Sequence, residues 1–120
     1  MAVDPKTGLT IFGPINERTT ASYSAKLVDE GNSTLTSLNS LYLTITDVAS
    51  GIEILSKTSI LSSFDAGNIN VTIEADSNKI INQRRGYEDH VARFDFSYNN
   101  DNSSGHHAIL IRVRNLGGVY

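Results

Sequence analysis

Three histidines and one aspartate are the residues of this sequence most suited to chemistry. His106 and His107 stand side by side after the polar run NNDNSSG (residues 99–105). Asp101 lies within that run, and His90 precedes it. Imidazole and carboxylate groups are zinc ligands and also an acid–base pair. A zinc site, however, needs three or four convergent donors. Neighbouring residues of a strand point to opposite faces, so His106 and His107 reach one ion only if the strand breaks between them. His90, one of the pair and Asp101 could still meet if the runs on either side of the knot pair with each other. The knot also has oxygen donors at alternate positions, like part of a calcium loop. It lacks the opening aspartate, and Leu110 falls where the bidentate glutamate belongs. As the polar loop of a β-hairpin it needs no ligand at all. The expectation is a turn, with no catalytic group, no metal and no cofactor.

The elements that must position these residues follow a period of two. In TTASYSAKLV, Ala21, Tyr23, Ala25 and Leu27 share a face. In SLYLTITDV the row is Leu41, Leu43 and Ile45, and GIEILS contributes Ile52 and Ile54. NINVTIE offers Ile69, Val71 and Ile73. The two runs beside the knot carry Ala92, Phe94, Phe96 and Tyr98, then Ile109, Ile111 and Val113. Each run is short, one-faced and rich in β-branched or aromatic residues, and Asp, Asn, Ser and Gly separate them. Residues 74–90 break the pattern and suit a helical turn before Gly86, as in a crossover between sheets. Six or seven strands of this kind predict an all-β fold, a single antiparallel immunoglobulin-like β-sandwich over residues 19–120. Residues 1–18, punctuated by Pro5, Gly8, Gly13 and Pro14, read as an extended N-terminal arm around the apolar run LTIF. The alternative is a first strand that wraps the domain.

Composition narrows the function classes. A chain of 120 residues holds one modest core, and 39% hydrophobic with 19% charged residues is the balance of a folded domain. A net charge of −3 gives no footprint for nucleic acid. There is no cysteine, hence neither a disulfide framework nor a thiolate metal site. No apolar run approaches membrane-spanning length and no signal-peptide core is present, so a soluble chain made in the cytoplasm is expected. Nucleophile elbows, Walker loops and dinucleotide fingerprints are missing. Asp47, Glu53, Asp65, Glu74 and Asp76 read as solvated strand ends. The sequons at Asn32, Asn70 and Asn102 are what a Ser/Thr-rich chain contains by chance. Arg84 and Arg85, with Arg93, Arg112 and Arg114, could line a face that docks an acidic partner. A solvated outer face is the plainer reading and is preferred.

The stretch ASYSAKLVDEGNSTLTSLNSLYLTITDVASGIEILSK, then NVTIEAD, EDHVARFDFSYN and GHHAILIRVRNLGGV, resembles a family of small proteins encoded among bacteriophage virion genes. The corresponding segments are Leu27–Glu30, Leu35–Leu38, Ser50–Ile54, Glu88–Phe94 and Gly105–Leu116, and the resemblance spans residues 19–117. It implies a non-enzymatic structural protein of the phage particle. A capsid decoration or cement protein is expected first, with a neck, tail or baseplate accessory protein as the alternative. A receptor- or carbohydrate-binding sandwich is the other class, for which Tyr42, Tyr87, Tyr98 and Tyr120 are available. The implied partners are the major capsid protein or other virion proteins, with self-association on the particle and no nucleic acid or membrane. On apolar grounds Leu9, Ile11 and Phe12 of the arm are the expected contact residues, with Arg84 and Arg85 as secondary candidates.

Overall fold

The computed structural model describes residues 3–5, 8–81 and 86–115. Eight strands follow in chain order: β1 (Ile11–Asn16), β2 (Ala21–Lys26), β3 (Ser40–Asp47), β4 (Glu53–Ser59), β5 (Phe64–Asp65), β6 (Asn68–Ile73), β7 (Tyr87–Tyr98) and β8 (Ser103–Arg114). They form a five-stranded sheet in the order β1-β8-β7-β3-β4 and a three-stranded sheet in the order β2-β6-β5. Short 3₁₀ turns at Leu61–Ser63 and Ala75–Asn78 complete the described elements, the second falling in the segment expected to turn.

Alternation builds the core. The inward rows Leu41, Leu43 and Ile45 on β3 and Ala92, Phe94 and Phe96 on β7 are buried. So are Ile109, Ile111 and Val113 on β8. Tyr23 on β2 and Ile69, Val71 and Ile73 on β6 meet them from the other sheet. Each sheet thus buries one apolar face against the other, and that burial is the main favourable term. Turns set the registers. Ala66 (φ 48°) and Gly67 (φ 93°) make the two-residue connection between β5 and β6, where a left-handed backbone suits the twist of the strands.

The all-β, two-sheet expectation holds, with differences of detail. β1 runs parallel to β8, pairing Ile11 with Leu110 and Phe12 with Ile111, so the larger sheet is not wholly antiparallel. The chain leaves β1 for the other sheet, and no hairpin forces the antiparallel sense. The segment read as an arm thus contains an edge strand that starts within the LTIF run, in line with the alternative of a first strand that wraps the domain. Before it, Val3 bridges Thr10 and the Asp4 N–H donates to the Leu9 carbonyl, so this segment doubles back. The fourth strand starts one residue later than expected, leaving Ile52 half exposed. Its register against β3 shifts around Ile45, and Ile54 and Leu55 are both partly buried.

Phe94 is fully buried and packs against both Tyr23 and His107, with ring centroids 5.8 Å from each, while those two rings stack on one another at 6.0 Å. Phe94→Ala removes the centre of this packing and should cost about 3–5 kcal/mol in urea unfolding. A loss below about 1 kcal/mol would show that the two sheets do not pack through this ring.

Candidate functional site

The inward rows of β3 and β7 end in polar groups. Asp47 continues the row Leu41, Leu43, Ile45, and Glu88 and His90 precede Ala92 in the row of β7. The β3–β7 register places Asp47 directly opposite His90. Asp47, Glu88 and His90 are 2%, 1% and 0% exposed. His90 Nε2 lies 2.7 Å from Glu88 Oε1 and 3.9 Å from Asp47 Oδ1. Glu88 Oε1 also accepts the Ile81 N–H at 2.6 Å, which brings the segment after the Ala75–Asn78 turn onto the cluster. Asp47 Oδ2 accepts both the N–H and the hydroxyl of Ser50, at 2.9 and 2.5 Å, from the turn between β3 and β4. Asp47 Oδ1 and His90 Nδ1 have no hydrogen-bond partner among the described residues.

This cluster replaces the site the sequence suggested. His90 pairs with Ile111, whereas His107 faces Phe94 and His106 faces Asp95. Four strand positions, about 13 Å, therefore separate His90 from the pair. Asp101 lies further off in the turn, where its carboxylate accepts the Ser97 hydroxyl and its N–H donates to Asn39. Asn99, Asn100 and Asp101 all have positive φ, as a tight polar hairpin loop requires. The knot is a turn, and His106 is exposed while His107 faces inward. Asp47, expected to be solvated, is a correction: its strand parity is inward and Ser50 folds back onto it. Glu88 opens the segment Glu88–Phe94 but carries no site role in the sequence, although its spacing from His90, Ala92 and Phe94 puts it on the buried face.

The outer face of the same sheet carries a groove of 520 Å³ lined by Pro14, Val48, Ala49, Tyr87, Asp89 and Arg112. Asp89 sits between Glu88 and His90 in sequence and so points away from the cluster. Arg112 clamps it through two bonds, Nε to Oδ1 at 2.9 Å and a terminal nitrogen to Oδ2 at 3.1 Å. That hydrogen bond raises Arg112 above its ordinary value. Arg93 pairs similarly with Asp95, and Arg114 lies over the Tyr87 ring. The arginine face is therefore occupied by the chain's own partners. Arg84 and Arg85 lie outside the described residues. Leu9, Ile11 and Phe12 are half-buried, and Phe12 packs edge-on against Tyr23 at 5.4 Å, so its apolar surface serves the chain's own core.

No family model, no curated protein sequence and no solved structure matches the chain.

A second imidazole reports on pH. His107 Nε2 is 2.7 Å from the Tyr23 hydroxyl, and burial pushes His107 down from 6.5 and Tyr23 up from 10.0. As pH falls below 6.5 the unfolded chain takes up a proton that folded His107 resists. Stability is unaffected by this group above 6.5, starts to fall as pH drops below that value, and goes on falling until pH has passed the lowered value of folded His107. The unfolding midpoint should fall on acidification, and His107→Gln should flatten the fall. An identical pH profile for the variant would assign the effect elsewhere.

Proposed function

We propose that this chain is a non-enzymatic structural protein of a bacteriophage particle, a decoration or cement protein on the capsid surface, built as an immunoglobulin-like sandwich. The strand order supports the fold reading. β2-β6-β5 corresponds to the B-E-D sheet of such domains, and β8-β7-β3-β4 to the G-F-C-C′ sheet, with β1 as the first strand lying beside the last. Of the segments that resemble the virion family, Glu88–Phe94 lies on β7 and the described part of Gly105–Leu116 mainly on β8, and the others fall in the loop before β3 and the turn from β3 into β4, so the likeness lies in the scaffold.

The observation that carries the docking role is that, among the described residues, no further strand pairs with either end of the larger sheet. β1 ends it on one side and β4 on the other, and β4 is mostly exposed. An edge strand offers unpaired N–H and C=O groups to a neighbouring chain. Repeated copies on a lattice need only a weak contact each. Major capsid protein is the proposed partner, and the neck or tail remains the alternative placement. The groove favours a second reading, a receptor- or carbohydrate-binding module. Tyr87, 52% exposed, presents a ring beside the Asp89–Arg112 pair, an arrangement that suits a sugar.

Quantitative mass spectrometry of purified particles from the encoding phage, scaled to the major capsid protein, separates these readings. Decoration predicts a ratio near the capsid subunit number or a fixed large fraction of it. A handful of copies places the protein at neck or tail, and its absence from particles defeats the virion reading. Tyrosine fluorescence that shifts on adding sugars, and no longer does so in Tyr87→Ala, would favour the binding module.

A further inference from the structure

We propose that Asp47, Glu88 and His90 bind one divalent transition-metal ion, with zinc the best fit, as a buried structural clip between β3 and β7. The inference does not depend on the virion reading. One imidazole nitrogen and two carboxylate oxygens form a borderline donor set that suits zinc. The candidate donor atoms all lie within 4.8 Å of one another. Tetrahedral zinc with bonds of about 2.0–2.1 Å holds its donors about 3.3 Å apart. The observed separations from His90 Nε2, 2.7 Å to Glu88 and 3.9 Å to Asp47, fall on either side of that value. Small side-chain rotations would equalise them.

The independent pointer is Asp47 Oδ1. It is buried, it has no hydrogen-bond partner among the described residues, and it lies on the His90 side of a carboxylate whose other oxygen is held twice by Ser50. A metal ligand is oriented in this way when an outer residue fixes one oxygen and leaves the other for the ion. Among the described residues no lysine or arginine pairs with Asp47, and its one ion-pair contact there is His90. A neutral His90 bonded to Glu88 would leave the Asp47 charge buried without compensation, which is strongly unfavourable. A divalent cation at this point meets both carboxylates. Three protein donors leave one position for water, and the near-complete burial assigns the ion a structural role taken up during folding.

The test is to unfold the full chain in chelator, refold it with and without one equivalent of Zn²⁺ or Co²⁺, and desalt. Bound metal, the visible absorption of Co²⁺ and the thermal midpoint are then measured. The expected result is one ion per chain, a midpoint several degrees higher with metal, and Co²⁺ absorption typical of a low-coordinate nitrogen–oxygen site. Asp47→Asn and His90→Gln should each weaken binding by about 100-fold or more. The double substitution of His106 and His107 by Gln should leave binding intact. No retained metal and equal midpoints in the wild-type chain overturn the proposal. So does metal that disappears with His106 and His107 but survives Asp47→Asn. If Asp47→Asn and His90→Gln do not fold, the wild-type comparison decides alone. A metal-independent chain that Asp47→Asn stabilises would instead show that the cluster shares a proton.

Discussion

The register between β7 and β8 is the constraint on which the rest of the structure depends. It runs unbroken from Tyr87 opposite Arg114 to Tyr98 opposite Ser103. With a side-chain period of two, a slip of β8 by one residue against β7 would turn Ile109, Ile111 and Val113 outward and bring Arg112 onto the core face. The loop beyond Tyr98 pins the register through left-handed residues at Asn99, Asn100 and Asp101. Once β7 is set, β3 pairs along its other edge and β1 adds beside β8. Placement of His90 in the core, and of His107 beneath the second sheet, both follow from that one alignment.

The same register explains what was legible in the sequence and what was not. Alternation alone reveals the rows of β2, β3, β6, β7 and β8, because each has one apolar face. β1 is harder to read, since Gly13 and Pro14 interrupt it and its pairing with β8 is a long-range event. β5, only two residues long, has no period to detect. Asp47 and Glu88 show the limit most clearly. Their types suggest solvated strand ends, while their parity places them inward. Parity prevails when a neighbouring segment closes the end of the sheet, as Ser50 and Ile81 do here through bonds to the two carboxylates. Those closures lie in turns, whose course the alternation of the strands does not specify.

A polar cluster at the end of an apolar face changes how the sheet can fail. Hydrophobic rows tolerate small shifts, because dispersion is non-directional and spread over many contacts. Hydrogen-bonded carboxylates do not, since a displaced buried oxygen loses its partner and gains no water. The bonds from Ser50 to Asp47 and from Ile81 to Glu88 therefore hold the turns at this end of the sheet, where β3 and β7 would otherwise fray. Across the sheet, the Asp89–Arg112 pair ties β7 to β8 on the solvent side. Adjacent residues of one strand, Glu88, Asp89 and His90, thus make polar ties on both faces.

The two sheets must also be held to each other without a disulfide, as the chain has no cysteine. Tyr23 performs that task from the smaller sheet. Its ring stacks on Phe94 and meets Phe12 edge-on, and its hydroxyl bonds to His107, so one side chain contacts β7, β8 and β1 together. Aromatic pairs contribute roughly 0.5–1.5 kcal/mol each beyond the area they bury. The hydroxyl adds direction, which apolar packing lacks. This arrangement draws the first strand into the core, because Phe12 completes the aromatic group that Tyr23 begins. An N-terminal segment that supplies such a ring is part of the scaffold up to β1. The ring stays engaged in that core while β1 itself ends the larger sheet on its side.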